Sequence, residues 1–377
     1  MMNTTKKHRE NPFDSSDLSR IGVVIPTFNA ARLWGSLREA IDRQDLQPQQ
    51  ILIVDSSSTD GTRELAESAG YKVLRIEQRE FSHGGTRRLA TQHLPWAKVL
   101  IFMTQDSIPA SEVTFRRIYE AFENSNIGAA YGRQLPRAQA GPIERHARLF
   151  NYPSESRIQT YSCRDEQGLK AAFISNSFAA YRCSALRKVG GFPSEAIVGE
   201  DSVVACRLLI ASWSIAYVAD AEVVHSHCFT KRKEFSRYFD IGVHHAREKW
   251  ILEHFGKAND EGKRFLRSEF AYLRAGNTKL IPSAMIRTAI KLLAYQLGRR
   301  EEYLPWKLKL RISGQPTFWN QMHPARVYRE TPVTLPKRAQ TSIDQSKAIA
   351  AAPKSPVEAA PLNGLHPGTL SRIGVRK

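Results

Sequence analysis

Short apolar runs alternate with stretches of helical spacing along the first third of the chain. Ile21–Pro26, Ile51–Asp55, Lys72–Glu77, Lys98–Met103 and Ile127–Arg133 read as strands. Between them, Ala31–Arg43, Thr62–Ser68, Gly84–His93 and Glu112–Asn124 read as helices. Strands alternating with helices of this length predict βαβ units and a parallel sheet. Right-handed crossovers then bring the strand carboxyl ends to one edge, where an α/β protein binds its ligands.

The rhythm changes after Arg133. Scattered Pro, Gly and charge over residues 134–170 predict a long loop or lid. Strand-like runs return at Ala171–Tyr181 and Ser214–His225, with helical spacing at Glu200–Ala211 and over most of 235–312. This divides the chain into a disordered lead-in (1–20), an α/β domain (21–255), a helical region (256–330) and a disordered Pro-, Ala-, Lys- and Ser-rich tail (331–377). Within the helical region, Leu280–Gly298 places Ser283, Arg287 and Lys291 on one face and apolar residues over much of the rest. Two readings of this basic amphipathic helix stand open: contact with an anionic membrane leaflet, or packing on the α/β domain.

A net charge of +18 favours anionic partners. The basic residues are spread along the chain with no reader motif, which argues against nucleic acid. Cys163, Cys183, Cys206 and Cys228 form no C-x-x-C pair, so no structural zinc site is expected and the thiols read as reduced. The polar stretch Met1–Arg20 lacks the apolar core of a secretory signal, and no uninterrupted apolar run of about 18 residues exists, so a cytoplasmic chain is expected.

Two of the predicted strands end on acids. Ile51–Asp55 leads into Ser-Ser-Ser-Thr-Asp60-Gly61, and Lys98–Met103 leads into Thr104-Gln105-Asp106. Asp55 at a strand end can accept the N–H of a pyrimidine base, whereas Asp60 suits helix capping as well as ligand binding. Asp106 is a candidate ligand for Mg²⁺ or Mn²⁺ bridging to a diphosphate, with Thr104 and Gln105 adding neutral oxygens. The first strand runs into Pro26-Thr27-Phe28-Asn29, which would line the same pocket. Phe81-Ser82-His83-Gly84-Gly85-Thr86-Arg87 offers glycines that open a helix toward an anion, with His83 and Arg87 as further donors. Glu200-Asp201 opens a later helix, where either acid, Asp201 before Glu200, could act as a general base oriented by Arg207. His225-Ser226-His227 ends a strand and could complete a metal site.

Taken in order, Val23–Asn29, Ile53–Gly61, Thr104–Asp106, Val189-Gly-Gly-Phe192 and Gly199-Glu-Asp201 resemble the family 2 glycosyltransferases of the GT-A fold, over about Ile21 to Trp250. Phe81–Arg87, Ser175–Arg182, His225–His227 and Arg237–Gly242 resemble the bacterial rhamnosyltransferases within that family. The resemblance implies a mixed, mainly parallel Rossmann-like sheet flanked by helices. It also implies inverting transfer of L-rhamnose from dTDP-rhamnose to a lipid-linked saccharide in surface polysaccharide synthesis, at the inner face of the plasma membrane. On this resemblance Pro26, Thr27, Asn29, Asp55, Asp60, His83, Gly84, Gly85, Arg87, Gln105 and Asp106 serve the donor, Asp106 and His227 (preferred to His225) hold the metal, and Asp201 with Glu200 is catalytic. Thr104 departs from the D-x-D pattern at its first acid. No Q-x-x-R-W motif of the processive members is present, so single-sugar addition is expected. A UDP-sugar donor, a related nucleotidyltransferase and a non-catalytic nucleotide-sugar-binding scaffold are the competing readings.

Overall fold

The computed structural model describes residues 17–256 and 261–322. The expected tail at 331–377 and most of the expected lead-in lie outside these residues. Among the described residues nine strands form one sheet: β1 (Ile21–Thr27), β2 (Ile51–Asp55), β3 (Lys72–Arg75), β4 (Val99–Met103), β5 (Ile108–Pro109), β6 (Ile127–Leu135), β7 (Arg157–Gln159), β8 (Phe178–Arg182) and β9 (Ser214–Val224). The helices of the α/β part are α1 (Ala31–Asp42), α2 (Thr62–Ser68), α3 (His83–His93), α4 (Thr114–Glu120), α5 (Pro142–Asn151), α6 (Arg164–Gln167), α7 (Cys183–Lys188) and α8 (Glu200–Ile210). They are followed by α9 (Lys231–Arg247), α10 (Lys249–Phe255), α11 (Glu261–Arg274), α12 (Ile281–Gly298), α13 (Trp306–Ile312) and α14 (Pro316–Gln321).

The central strands are apolar on both faces because both are covered. Val24, Leu52, Leu100 and Phe102 enter one core with α8, while Val23, Ile25, Ile53 and Ile101 enter the other with α1 and α4. This is the period-2 alternation of a strand buried between two helical layers. A third, smaller core around Phe239, Val243, Ala294 and Trp319 joins α9, α12 and α14. There Gly242 and Gly298 let two helices touch through their backbones: a Cβ on Gly298 would lie 2.1 Å from the Phe239 carbonyl.

The sheet order is β3-β2-β1-β4-β8-β6-β9-β5, with β7 on β9. The parallel expectation holds for β3-β2-β1-β4 and for β6-β9, but β8 runs antiparallel to both β4 and β6. The Ala171–Tyr181 run is accordingly a strand only from Phe178, its first part forming a 3-10 turn. The reversal has a functional consequence. The carboxyl ends of β1, β2, β4, β6 and β9 and the amino end of β8 all lie on one edge. Residues 134–170, expected as an irregular loop, contain α5, β7 and α6. In α5 the buried residue is His146, Arg148 turns inward to Gln134 and Leu149 is exposed, so the apolar pattern of the sequence does not announce this helix.

The basic stripe of Leu280–Gly298 faces inward. Arg287 pairs with Glu234 of α9 at 2.6 Å, and Lys291 reaches the same carboxylate at 3.6 Å. The packing reading therefore describes this face, and the apolar residues are the ones left exposed. Among the described residues no helix is long and apolar enough to cross a membrane.

Candidate functional site

The metal-site candidates meet at the shared edge. Asp106 follows β4, and His225 and His227 follow β9. Their nearest approaches are 3.4 Å (His225 Nε2 to Asp106 Oδ1) and 3.5 Å (His227 Nδ1 to Asp106 Oδ2). The protonation of His225 follows from its neighbours. Gln134, at the end of the adjacent β6, has its Oε1 fixed by an Arg148 guanidinium, which can only donate. The same oxygen lies 2.9 Å from His225 Nδ1, so Nδ1 carries the proton and Nε2 the lone pair. That buried Nε2 has no hydrogen-bond partner. It faces an acidic oxygen, so two acceptors oppose each other, an arrangement that a cation between them would relieve. Burial lowers the pKa of both imidazoles, that of His227 to about 4, which leaves neutral ligands. One carboxylate and two imidazoles fit a divalent transition-metal ion such as Mn²⁺. Both histidines take part in this arrangement, His225 the more deeply buried. Thr104, standing where an acid was expected, pairs its hydroxyl with Ser107 at 2.9 Å.

The second acidic pair lies across a short bridge. Ser175 receives the amide of Gln134, Asn176 donates its backbone N–H to Asp201 Oδ2 at 3.1 Å, and Ser177 accepts from the Thr104 N–H. The segment entering β8 thus ties the metal candidates to α8. Glu200, expected beside Asp201 as a catalytic group, is turned inward. Its Oε1 lies 2.9 Å from Arg87 and accepts from Asn176 Nδ2 at 2.9 Å, and the Tyr181 hydroxyl donates to Asn176 Oδ1. Burial raises the pKa of Glu200, but Arg87, His83 and the Asn176 bond outweigh it and keep Glu200 ionised. Asp201 is only half-buried. Burial and the adjacent Glu200 charge push its carboxyl up to about 6, a value suited to a base working near neutral pH.

Several expected donor ligands are occupied elsewhere. Arg87, expected on an anion, is 4 % exposed and belongs to Glu200. Gly84 and Gly85, expected to cradle an anion, permit α3 to begin against a neighbouring backbone. A Cβ on Gly84 would lie 1.7 Å from the Pro193 carbonyl, and one on Gly85 would meet Ser82 and then Ser194. Ser82 caps this helix through the Gly85 N–H. His83 stacks edge-on with Phe81 and approaches Gln315. Arg207 lies against Gly190, while Arg87 pairs with Glu200, the neighbour of Asp201.

The β1 and β2 loops are knitted together by their polar residues. Asp55 accepts from Thr27 Oγ1, Ser58 N and Ser58 Oγ, and Asp60 accepts from Ala31 N, Thr62 N and Thr62 Oγ1. Both carboxylates therefore brace these loops, Asp60 by accepting from the first N–H of α1. Asn29, at φ 48°, accepts from Thr59 N, and Pro26 lies within β1. Gln105 clasps the Phe28 peptide from both sides, with bonds of 2.8 and 3.2 Å, which joins the loop carrying Asp106 to the first-strand loop.

The sequence reading passed over Gln134, Arg148 and Asn176. A signal for Asn176 existed in the polar triplet Ser175-Asn-Ser177 ahead of an apolar strand. Gln134 had the same position at a strand end as the two acids. Losing one partner of the Arg87–Glu200 pair leaves a buried charge alone. Arg87→Ala is therefore expected to lower stability by about 3–5 kcal/mol, measured by urea unfolding.

The sequence matches the family profile described as "Glycosyl transferase family 2" over residues 22–190, a span that ends before Asp201 and the two histidines. It is 40 % identical over 304 residues to the O-antigen chain rhamnosyltransferase RfbN of Salmonella typhimurium, covering 80 % of this chain and 97 % of that one. It is 40 % identical over 301 residues to the O-antigen chain rhamnosyltransferase WbaN of Salmonella anatum, with 80 % and 96 % covered. Among solved structures it is similar to the mannosyltransferase PcManGT of Pyrobaculum calidifontis in complex with GDP-Man and Mn²⁺, with a TM-score of 0.46, 19 % identity, and coverage of 88 % and 86 %.

Proposed function

The chain belongs to glycosyl transferase family 2, and on that premise we propose that it transfers L-rhamnose from dTDP-rhamnose to a lipid-linked saccharide during surface polysaccharide synthesis in the cytoplasm. The observation that carries the mechanism is the convergence of Asp106, His225 and His227 with Asp201 through one hydrogen-bonded edge. Asp106, His225 and His227 would hold Mn²⁺ or Mg²⁺, which supplies charge stabilisation to a departing nucleoside diphosphate. Gln134 and Arg148 fix the His225 tautomer. The loops braced by Asp55, Asp60 and Gln105 form the wall that receives the nucleoside. Asp201 takes the proton of the acceptor hydroxyl as that oxygen attacks the anomeric carbon from the face opposite the diphosphate, which inverts the configuration. Arg87, Asn176 and Glu200 position Asp201 and set its basicity.

The donor is tested by thermal unfolding against a panel of nucleotide sugars with Mn²⁺. At 100 times its dissociation constant, dTDP-rhamnose is expected to add about 2.7 kcal/mol of apparent stability. A UDP-sugar that stabilises the protein while dTDP-rhamnose does not would replace the proposed donor. Stabilisation without sugar transfer would favour a binding scaffold.

A further inference from the structure

Among the described residues, the outer side of α12 carries an exposed apolar stripe. Met285 and Ile286 are 57 % and 48 % exposed, and Leu292 and Leu293, two turns further on, are 60 % and 64 % exposed. A spacing of seven residues puts both pairs on one face. The opposite face, through Ala284, Arg287, Lys291, Ala294 and Gly298, is committed to α9. Four large apolar side chains side by side on one helix face are unusual for a surface that meets only water.

The stripe borders a cavity with mixed apolar and basic walls. Ile290, one turn from both Ile286 and Leu293, lines a space of about 440 Å³ together with Phe235, Ser236 and Ile312 and the cationic Lys231, Arg232 and Arg311. No ion pair joins these three side chains to any described residue. Lys231 and Arg232 also open α9, where the helix dipole disfavours cations and favours an anion beside them. From residue 274 to 311 the chain has nine Lys or Arg and two Asp or Glu; Arg287, Lys291 and Lys309 are committed to Glu234 and Glu301, and the cations left over favour an anionic partner over a neutral one.

We propose that α12 docks on an anionic lipid bilayer, its Met285, Ile286, Leu292 and Leu293 stripe entering the acyl boundary and the Lys231, Arg232 and Arg311 cavity receiving lipid phosphate. This orientation is the reverse of the one the basic stripe in the sequence suggested. It does not depend on which sugar is transferred. An apolar stripe inserts, and flanking cations add a salt-sensitive attraction.

The test is co-sedimentation of the full chain with vesicles of phosphatidylcholine alone or mixed with phosphatidylglycerol. The native protein is expected to bind the mixed vesicles and to weaken in high salt. Leu292→Glu/Leu293→Glu is expected to reduce binding at least about tenfold. Met285→Ser/Ile286→Ser should act in the same direction, and Arg232→Glu/Arg311→Glu should abolish the preference for phosphatidylglycerol. Unchanged thermal unfolding of these surface variants excludes misfolding as the cause. Equal vesicle binding by the native and Leu-to-Glu proteins would overturn the proposal. So would a dimer in sedimentation velocity that the Leu-to-Glu change dissociates, since a second copy would then cover the stripe.

Discussion

Asp201→Asn is expected to lower sugar transfer by roughly 10²–10⁴-fold while leaving nucleotide binding nearly intact. The substitution keeps the shape of the side chain and its bond from the Asn176 N–H, but removes the proton acceptor. The pH profile gives an independent readout. Because burial and the Glu200 charge raise the Asp201 carboxyl to about 6, this base is protonated below that pH and ionised above it. kcat/KM should therefore rise with pH through about 6 and level off beyond. Glu200→Gln takes away the negative neighbour and leaves the Arg87 charge in place, and both changes favour the ionised base. The acid limb should move to lower pH in that variant. A profile that does not respond to Glu200→Gln would detach the limb from Asp201.

The second large effect is expected at the metal candidates. Asp106→Ala and His225→Ala should each cost on the order of 10² or more in turnover and should weaken Mn²⁺ binding measured by electron paramagnetic resonance. Binding is the decisive readout, because it does not require knowledge of the acceptor. Gln134→Leu touches no proposed ligand atom, yet it removes the oxygen that accepts the His225 Nδ1 proton. Its expected loss of about 10–100-fold in Mn²⁺ affinity tests whether the tautomer matters. A Gln134→Leu protein with native affinity would show that His225 needs no such support.

The positions of the strands and of the acids at their ends were legible because buried strands write themselves as apolar runs. Ile51–Asp55 and Thr62–Ser68 appear with the expected limits, and Ser214–Val224 falls one residue short of its predicted end. Strand direction was not legible. A run of apolar residues carries no sign of parallel or antiparallel pairing, so the reversal of β8, which delivers Asn176 to the site, had to come from the fold. Charged and glycine residues misled for a related reason. Arg87 and Gly84 lie in a sequence that suits an anion, but whether a guanidinium meets a phosphate or a buried glutamate depends on α8, more than a hundred residues away in the chain. The same held for Arg287 and Lys291, whose partner Glu234 lies on another helix.

The most direct test of the account is a crystal structure with Mn²⁺ and dTDP-rhamnose, the ion located by anomalous scattering. The account predicts one Mn²⁺ within about 2.0–2.3 Å of an Asp106 oxygen and His225 Nε2, with Asp201 on the side of the sugar opposite the diphosphate. An ion bound away from these side chains, or a sugar seated out of reach of Asp201, would contradict it.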